Sequence, residues 1–162
     1  MAIELMLNLG KEVLDEEMVL KGIHDLGFTS TVETPTQDSV FHCTSCYDTL
    51  GFMVTLVKSF SSNSPPPEIR LLGGAEFECR QFLTFRFDKW IELTPAFERA
   101  LKMIFNLMNH VRTRAFLETG DSTEICFFNN DKSILFNISS GMFTNIDIKK
   151  ELPGWKVIEV TL

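Results

Sequence analysis

The stretch AIELMLNL, residues 2–9, determines the architecture that we expect for this chain. Its residues alternate between two sets with a period of two, which is typical of a β-strand with one buried face. The apolar set is Ile3, Leu5, Leu7 and Leu9, and the second set is Glu4, Met6 and Asn8. We therefore predict a first strand that buries its leucine side.

Two helices are predicted further along the chain. The first begins after Asp15, whose side chain can cap free amides, and ends at Gly27. The second begins with Thr94 as its cap and Pro95 in the first helical position. Apolar residues then recur at helical spacing, at Phe97, Ala100, Leu101, Ile104, Leu107, Met108 and Val111. This spacing predicts the main core helix.

The other segments are rich in β-branched and aromatic residues, which favour strands. Strands are predicted at 40–44, 51–60, 78–89 and 155–162, and a hairpin at 124–138, with a stiff proline connection over 61–68. The order strand, helix, strands, helix, strands is typical of an α+β fold. We predict a single domain, residues 1–162, in which two principal helices pack on one face of a mainly antiparallel sheet.

The chain is acidic, with a net charge of −7. Residues 1–33 carry seven carboxylates against two lysines, a balance of −5, whereas residues 80–114 carry seven basic side chains against three acidic ones, a balance of +4. Nucleic-acid affinity comes largely from Lys and Arg. The overall balance therefore argues against nucleic acid as the ligand and favours a basic partner.

The stretch FHCTSC, residues 41–46, places His42 beside a Cys-x-x-Cys pair. Structural zinc needs four ligands, and the sequence holds one such pair. A redox-active pair normally opens a helix, and the residues after Cys46 are a poor helix start. The alternation predicts that Cys43 and Cys46 lie on opposite faces of a strand, as two small core residues without a metal.

No standard catalytic motif is present in the sequence. Glu76 and Glu78 would point to one side of a strand, but nothing near them in the sequence supplies a base or an oxyanion donor. We predict that the protein is not an enzyme and needs no cofactor or metal. The alternative of a small enzyme that uses His42, Cys43 and Cys46 predicts bound zinc or an acidic thiol.

A second alternative is a nucleic-acid-binding or regulatory domain that uses the basic segment 80–114. Its candidate residues are Arg80, Arg86, Arg99, Lys102, Arg112 and Arg114. Such a domain would bind oligonucleotides with an affinity that falls steeply as salt is added.

The location of the protein is predicted from two features of the sequence. No stretch offers the roughly 20 apolar residues of a membrane helix, and the N-terminus lacks the basic start of a secretory signal. We predict a cytoplasmic protein that does not bind membranes. The sequence indicates no oligomeric state.

Several segments together resemble immunity proteins, the small cytoplasmic partners of bacterial polymorphic toxins delivered by contact-dependent growth inhibition and related systems. These segments are the opening MAIELMLNLG, the acidic first helix, the Phe-rich sheet, the helix TPAFERALKMIFNLMNHV and the hairpin ICFFNNDKSILFN. The likeness spans most of the chain and lies in its architecture.

This resemblance implies a protein that binds and neutralises the C-terminal toxin domain of its own strain's effector. We expect a nuclease, because nucleases are basic and an acidic inhibitor complements them. The expected contacts are the carboxylates Glu76, Glu78, Asp121, Glu124 and Asp131 and the apolar anchors Trp90 and Phe128. A toxin strand could also add to an exposed sheet edge, either at the last strand or at the hairpin from Phe127 to Phe136.

Overall fold

The fold was obtained as a computed structural model, which describes residues 3–29, 40–58, 65–87, 89, 92–141 and 146–162. The strands of the main sheet are β1 (Ile3–Leu9), β2 (Phe41–Cys43), β3 (Phe52–Lys58), β6 (Gln81–Phe87), β7 (Ala115–Thr119), β8 (Glu124–Phe128), β9 (Ser133–Asn137) and β10 (Lys156–Val160). A separate two-stranded ribbon consists of β4 (Glu68–Ile69) and β5 (Ala75–Glu76). The helices are α1 (Glu16–Asp25), α2 (Tyr47–Leu50), α3 (Leu93–His110) and α4 (Ile148–Glu151), with 3₁₀ turns at Arg70–Leu72 and Ile138–Ser140.

The predicted fold class is confirmed: eight strands form one mostly antiparallel sheet, and α1 and α3 pack on it. The strand order is β10-β9-β8-β7-β1-β6-β3-β2. The first strand lies near the middle of this sheet, where it pairs with β6 on one side and β7 on the other. Its leucines are fully buried, as the alternation predicts, whereas Ile3 at the start of the strand, which belongs to the same set, is 37% exposed.

The two principal helices start differently. At α1 the Asp15 side chain accepts a hydrogen bond from the Met18 amide at 2.8 Å, as predicted. At α3 the prediction is off by two residues, because the helix begins at Leu93, and Thr94 and Pro95 are its second and third residues. Proline fits there because the amides of the whole first turn have no partner within the helix.

The core lies between the helices and the sheet. The apolar face of α3 is buried on it, and Phe105 meets Phe128 of β8 edge to face, with ring centroids 6.2 Å apart. Phe97 stacks on Phe87 of β6 at 4.3 Å. Offset and edge-on aromatic pairs of this kind add about 0.5–1.5 kcal/mol each to the free energy of burial.

Part of the opposite sheet face is covered by the segment that contains β4 and β5. Ile69, Leu71 and Phe77 form a second, smaller apolar cluster with Phe116 and Phe127 of the sheet. The predicted boundaries in this region are wrong. Glu68 belongs to β4 instead of the proline connection, and the strand predicted from residue 78 begins at Gln81. Residues 61–64 lie outside the described part.

The Cys-x-x-Cys prediction is also wrong in its geometry. Cys43 ends β2, whereas Cys46 lies at the start of the one-turn helix α2. That helix ends at Gly51, which has a φ of 86°. Glycine adopts this left-handed conformation without steric strain, so the chain turns back into β3 after one turn. Both cysteines are fully buried.

The last strand pairs in parallel with β9 and forms one end of the sheet. Among the described strands, β10 lies at the edge, as predicted for the last strand, whereas the β8–β9 hairpin, also predicted as an edge, lies inside the sheet. None of the helices in the described residues has the length and apolar content that crossing a membrane requires.

Candidate partner-binding surface

Residues 68–78 form an acidic hairpin, which comprises β4, a 3₁₀ turn, β5 and the following residues to Glu78. In β4 and β5, Glu68 lies directly opposite Glu76 in the antiparallel register, and both residues are exposed. No ion pair links either of them to another described residue. Because no described cation pairs with them, Glu68 and Glu76 present an unneutralised negative charge to solvent. Like charges directly opposite each other also destabilise a β-ribbon.

A buried carboxylate anchors this hairpin to the sheet. Glu124 is 6% exposed, and its two oxygens accept hydrogen bonds from the Arg70 and Leu71 amides, each at 2.8 Å. The Arg70 guanidinium lies 3.6 Å from the same carboxylate. Glu124 therefore holds the 3₁₀ turn in place and is not available to a partner.

An exposed edge adjoins the acidic hairpin. Val160 of β10 packs against the same small apolar cluster as Ile69 and Leu71, which places the last strand beside the hairpin. No described strand pairs with the outer side of β10, which we call the open edge. Two large apolar side chains are exposed near its end, Ile138 at 49% and Leu162 at 40%. The acidic hairpin and the open edge are thus joined through this small cluster, and the two exposed apolar side chains lie near the end of the same strand.

The other predicted contact residues are dispersed. Glu78 lies beyond β5 and pairs with Arg80, so Glu76 and Glu78 do not belong to one strand, as their expected shared side required. Asp121 lies in the exposed β7–β8 turn and Asp131 in the β8–β9 turn, at opposite ends of β8. The positions of these two residues give no shared surface.

The turn carboxylates are held by local hydrogen bonds. Asp121 accepts from the Thr119 hydroxyl and the Thr123 amide, and these bonds hold its pKa below the ordinary value. Asp131 accepts from the Ser133 hydroxyl at 2.6 Å and the Ser133 amide at 3.0 Å, which lowers its pKa in the same way. Both side chains close their turns and remain charged at neutral pH.

Of the two predicted apolar anchors, Phe128 is fully buried between Phe105 and Trp155. It therefore belongs to the core and has no surface to offer. Trp90 lies outside the described residues. The sequence analysis missed Glu68, Ile138 and Leu162. Only the position of Glu68 beside three prolines signalled exposure, and nothing in the sequence marked it as the partner of Glu76.

The two thiols of the Cys-x-x-Cys region are fully buried. The Cys46 thiol lies 3.1 Å from the Phe52 carbonyl and 3.3 Å from that of Cys43, and burial raises its pKa far above the ordinary value. Burial raises the pKa of Cys79 to about 11 and that of Cys126 well above its ordinary value. The four cysteines form no disulfide, and the described residues contain no group of three or more His, Cys, Asp or Glu side chains suited to a metal ion.

Four of the six basic residues of the nucleic-acid alternative are engaged separately, and the other two, Lys102 and Arg112, are exposed. Arg80 pairs with Glu78, and the Arg86 guanidinium lies 3.8 Å from Glu4. Arg99 donates to the Leu50 carbonyl at 2.8 Å, and the Arg114 guanidinium lies 5.0 Å from the centre of the Phe127 ring. These contacts distribute the basic side chains over both faces of the sheet instead of along one groove.

Compared with known proteins, the chain matches no family model, no curated protein and no solved structure. Its candidate function therefore depends on its own geometry and charge.

Proposed function

We propose that this protein is a bacterial immunity protein that binds and neutralises the toxin domain of a contact-dependent growth inhibition or related system. In this proposal the toxin is a basic enzyme, with a nuclease as the expected class, and the inhibitor acts by contact alone, without catalysis or cofactor. The proposal rests mainly on one observation, the unneutralised Glu68–Glu76 pair on the surface hairpin. The net charge of −7 and the resemblance of the sequence agree with it.

A basic partner would change the electrostatic energy of this pair. In the free protein the two opposed carboxylates repel each other, which costs roughly 0.2–1 kcal/mol. An arginine or lysine of the partner placed between them replaces this repulsion with charge-assisted hydrogen bonds. The repulsion is relieved and these hydrogen bonds form only when the basic partner is bound. This difference between the free and bound states favours a basic partner over others.

The open edge and its apolar residues supply the other part of the interface. Charged contacts chiefly give encounter rate and specificity, while buried apolar anchors near the centre carry much of the affinity. Ile138 and Leu162 fill this role in the proposal, in place of Phe128. A strand of the toxin can add to β10 through main-chain hydrogen bonds.

The test first asks whether the gene directly upstream encodes an effector with a C-terminal toxin domain, and then produces that domain in growing cells with and without this chain. We expect the chain to restore growth and the purified pair to form a complex. The double variant Glu68→Gln and Glu76→Gln should bind at least about tenfold more weakly, since each charged contact is worth roughly 1.5–3 kcal/mol. The same variant should be as stable as the wild type or more so, because the repulsion is removed.

The matched control is Glu16→Gln with Glu17→Gln, which removes the same charge from the exposed first turn of α1. This control should retain binding within about threefold, as expected for charges outside an interface. The proposal is wrong if the chain neither binds the toxin domain nor protects against it. Equal losses of affinity for the toxin domain in the two double variants would show that binding depends on the net charge and not on the acidic hairpin.

A further inference from the structure

A small pocket lies where the C-terminus of α3 meets the β8–β9 turn. Its volume is about 120 Å³, and it is lined by Asn109, His110, Val111, Arg112, Thr113, Asn129, Asn130, Lys132 and Trp155. This volume holds several water molecules but is well below the roughly 300 Å³ of pockets that enclose drug-sized ligands. The pocket has the size for a small ion or a single functional group.

Three of the lining side chains are cationic or become so on protonation: His110, Arg112 and Lys132. All three are exposed, and no ion pair with another described residue neutralises them. The neighbouring carboxylate of Asp131 is charged, but it bonds to the amide and hydroxyl of Ser133, and the two permanent cations, Arg112 and Lys132, outnumber it. On a chain with a net charge of −7, the pocket is therefore a local positive site.

Lys132, which lines this pocket, has a strained backbone conformation. Its φ is 58°, in the left-handed region, where glycine is favoured and a side chain is penalised. The turn is closed by the Asn129 amide, which donates to the Ser133 carbonyl at 2.8 Å. A glycine would suit this turn better, so the lysine at this position costs stability, and strained residues of this kind cluster at binding sites.

Three other side chains that line the pocket are already held in place by hydrogen bonds within the protein. The Asn109 amide group donates to the Glu151 carbonyl at 3.1 Å, and its oxygen accepts from the Trp155 indole at 2.9 Å. Thr113 is only 2% exposed, and its hydroxyl donates to the Arg114 carbonyl at 3.1 Å. These bonds hold the tryptophan and asparagine in one position, which lowers the entropy lost when a ligand binds.

We propose that this pocket binds a phosphate-sized oxyanion, either free inorganic phosphate or the phosphate group of a monoester. The planar guanidinium of Arg112 can bind two of its oxygens, and Lys132 supplies the second charge from the turn. The site is independent of the proposed toxin contact, because it involves neither the acidic hairpin nor the open edge.

A different role for these cations would be to offset the negative end of the α3 dipole. That role predicts that Arg112→Gln lowers the thermal midpoint in the absence of phosphate, whereas the oxyanion site predicts that Arg112→Gln leaves the midpoint unchanged. Lys132→Gly relieves the strained φ under either role, so Arg112→Gln is the variant that distinguishes them.

The test is an NMR titration of the full chain with inorganic phosphate at constant ionic strength, balanced with chloride. We expect a saturable shift of the Trp155 indole N–H signal. Lys132→Gly and Arg112→Gln should each weaken binding about tenfold, the value of one charge-assisted hydrogen bond. The thermal midpoint of Lys132→Gly should be no lower than that of the wild type.

Two variants are matched controls. Ser122→Gly relieves the other positive φ among the described non-glycine residues, 64°, in the β7–β8 turn away from the pocket. Lys102→Gln removes an exposed cation from α3 that does not line the pocket. Both should bind phosphate as the wild type does.

A second titration with phenyl phosphate distinguishes the two sources of the anion. Tighter binding of the ester identifies a phosphate monoester, and equal or weaker binding identifies free phosphate. A shift that does not saturate, or binding that is equal in Lys132→Gly, Ser122→Gly and the wild type, would overturn the proposal.

Discussion

We expected the Glu124 carboxylate on a binding surface, but it instead holds the 3₁₀ turn of the acidic hairpin in place on the sheet. Both of its oxygens accept backbone hydrogen bonds in a buried position. In Glu124→Gln one acceptor becomes an NH₂ donor that faces an amide donor. We expect a loss of about 1–3 kcal/mol in the free energy of unfolding, the range for an unsatisfied buried polar group. Urea unfolding measures it, and the exposed Glu159→Gln is the control, for which a loss of the same size would contradict this account.

Glu118 leads to a prediction about pH. Burial raises the pKa of its carboxyl above the ordinary 4.5, although Asn8 donates a hydrogen bond to it at 3.0 Å. The folded state therefore holds this proton more tightly than the unfolded state does. The charge destabilises the fold at neutral pH, and this destabilisation disappears as the pH falls below 4.5.

We expect Glu118→Gln to be more stable than the wild type at pH 7, since the amide oxygen still accepts from Asn8 and no charge is buried. The difference should vanish in acid, where the wild-type carboxyl is protonated in both states. Thermal unfolding at a series of pH values measures this difference. A constant difference at every pH would show that packing, and not charge, is responsible.

At the scale of elements, Gln81 connects β6 to the segment before α1. Its side-chain oxygen accepts from the Val13 and Leu14 amides at 3.2 and 2.9 Å, and its nitrogen donates to the Leu14 carbonyl at 2.7 Å. The residue is 1% exposed. This clamp sets the path from β1 into α1.

Gln81→Met keeps the side-chain length and removes all three hydrogen bonds. We expect the free energy of unfolding to fall by about 2–4 kcal/mol. Each buried backbone group left without a partner costs about 1–3 kcal/mol, and one of the three groups, the Val13 amide, lies near solvent. Hydrogen exchange should show faster exchange at Val13 and Leu14. Thr84→Val, on the other face of the same strand, is the control, and unchanged protection at Leu14 in Gln81→Met would disprove the clamp.

At the scale of the whole molecule, β1 joins the two halves of the sheet. Because it pairs with both β6 and β7, loss of this strand exposes the core on both sides. We expect one cooperative unfolding transition. Far-ultraviolet circular dichroism and tryptophan fluorescence should give the same denaturant midpoint. Two separated midpoints would show that the halves unfold independently.

The charge of the molecule leads to a prediction about association, which depends on the proposed function. A net charge of −7 attracts a basic toxin domain over a distance that salt shortens. We expect the association rate constant to fall about tenfold or more between low and physiological ionic strength, with a smaller change in the dissociation rate. Stopped-flow mixing measures both, and a salt-independent association rate would contradict charge steering.

Much of the fold could be predicted from the sequence. The leucine alternation of residues 3–9, the apolar spacing of α3 and the turn at Asn129–Lys132 each determine a local element, because periodicity and turn residues act over a few positions. The order of these elements was enough for the α+β class. The acidic balance of the chain can likewise be read directly from the sequence.

The tertiary structure alone decided which side chains are free to act. Strand order made β10 an edge and placed the β8–β9 hairpin inside, and the same pairing buried Glu124 and Phe128. It also set Glu68 against Glu76 and brought Lys132 to the end of α3. Contacts between residues far apart in the chain depend on which surfaces are buried together, and no local pattern in the sequence records that choice.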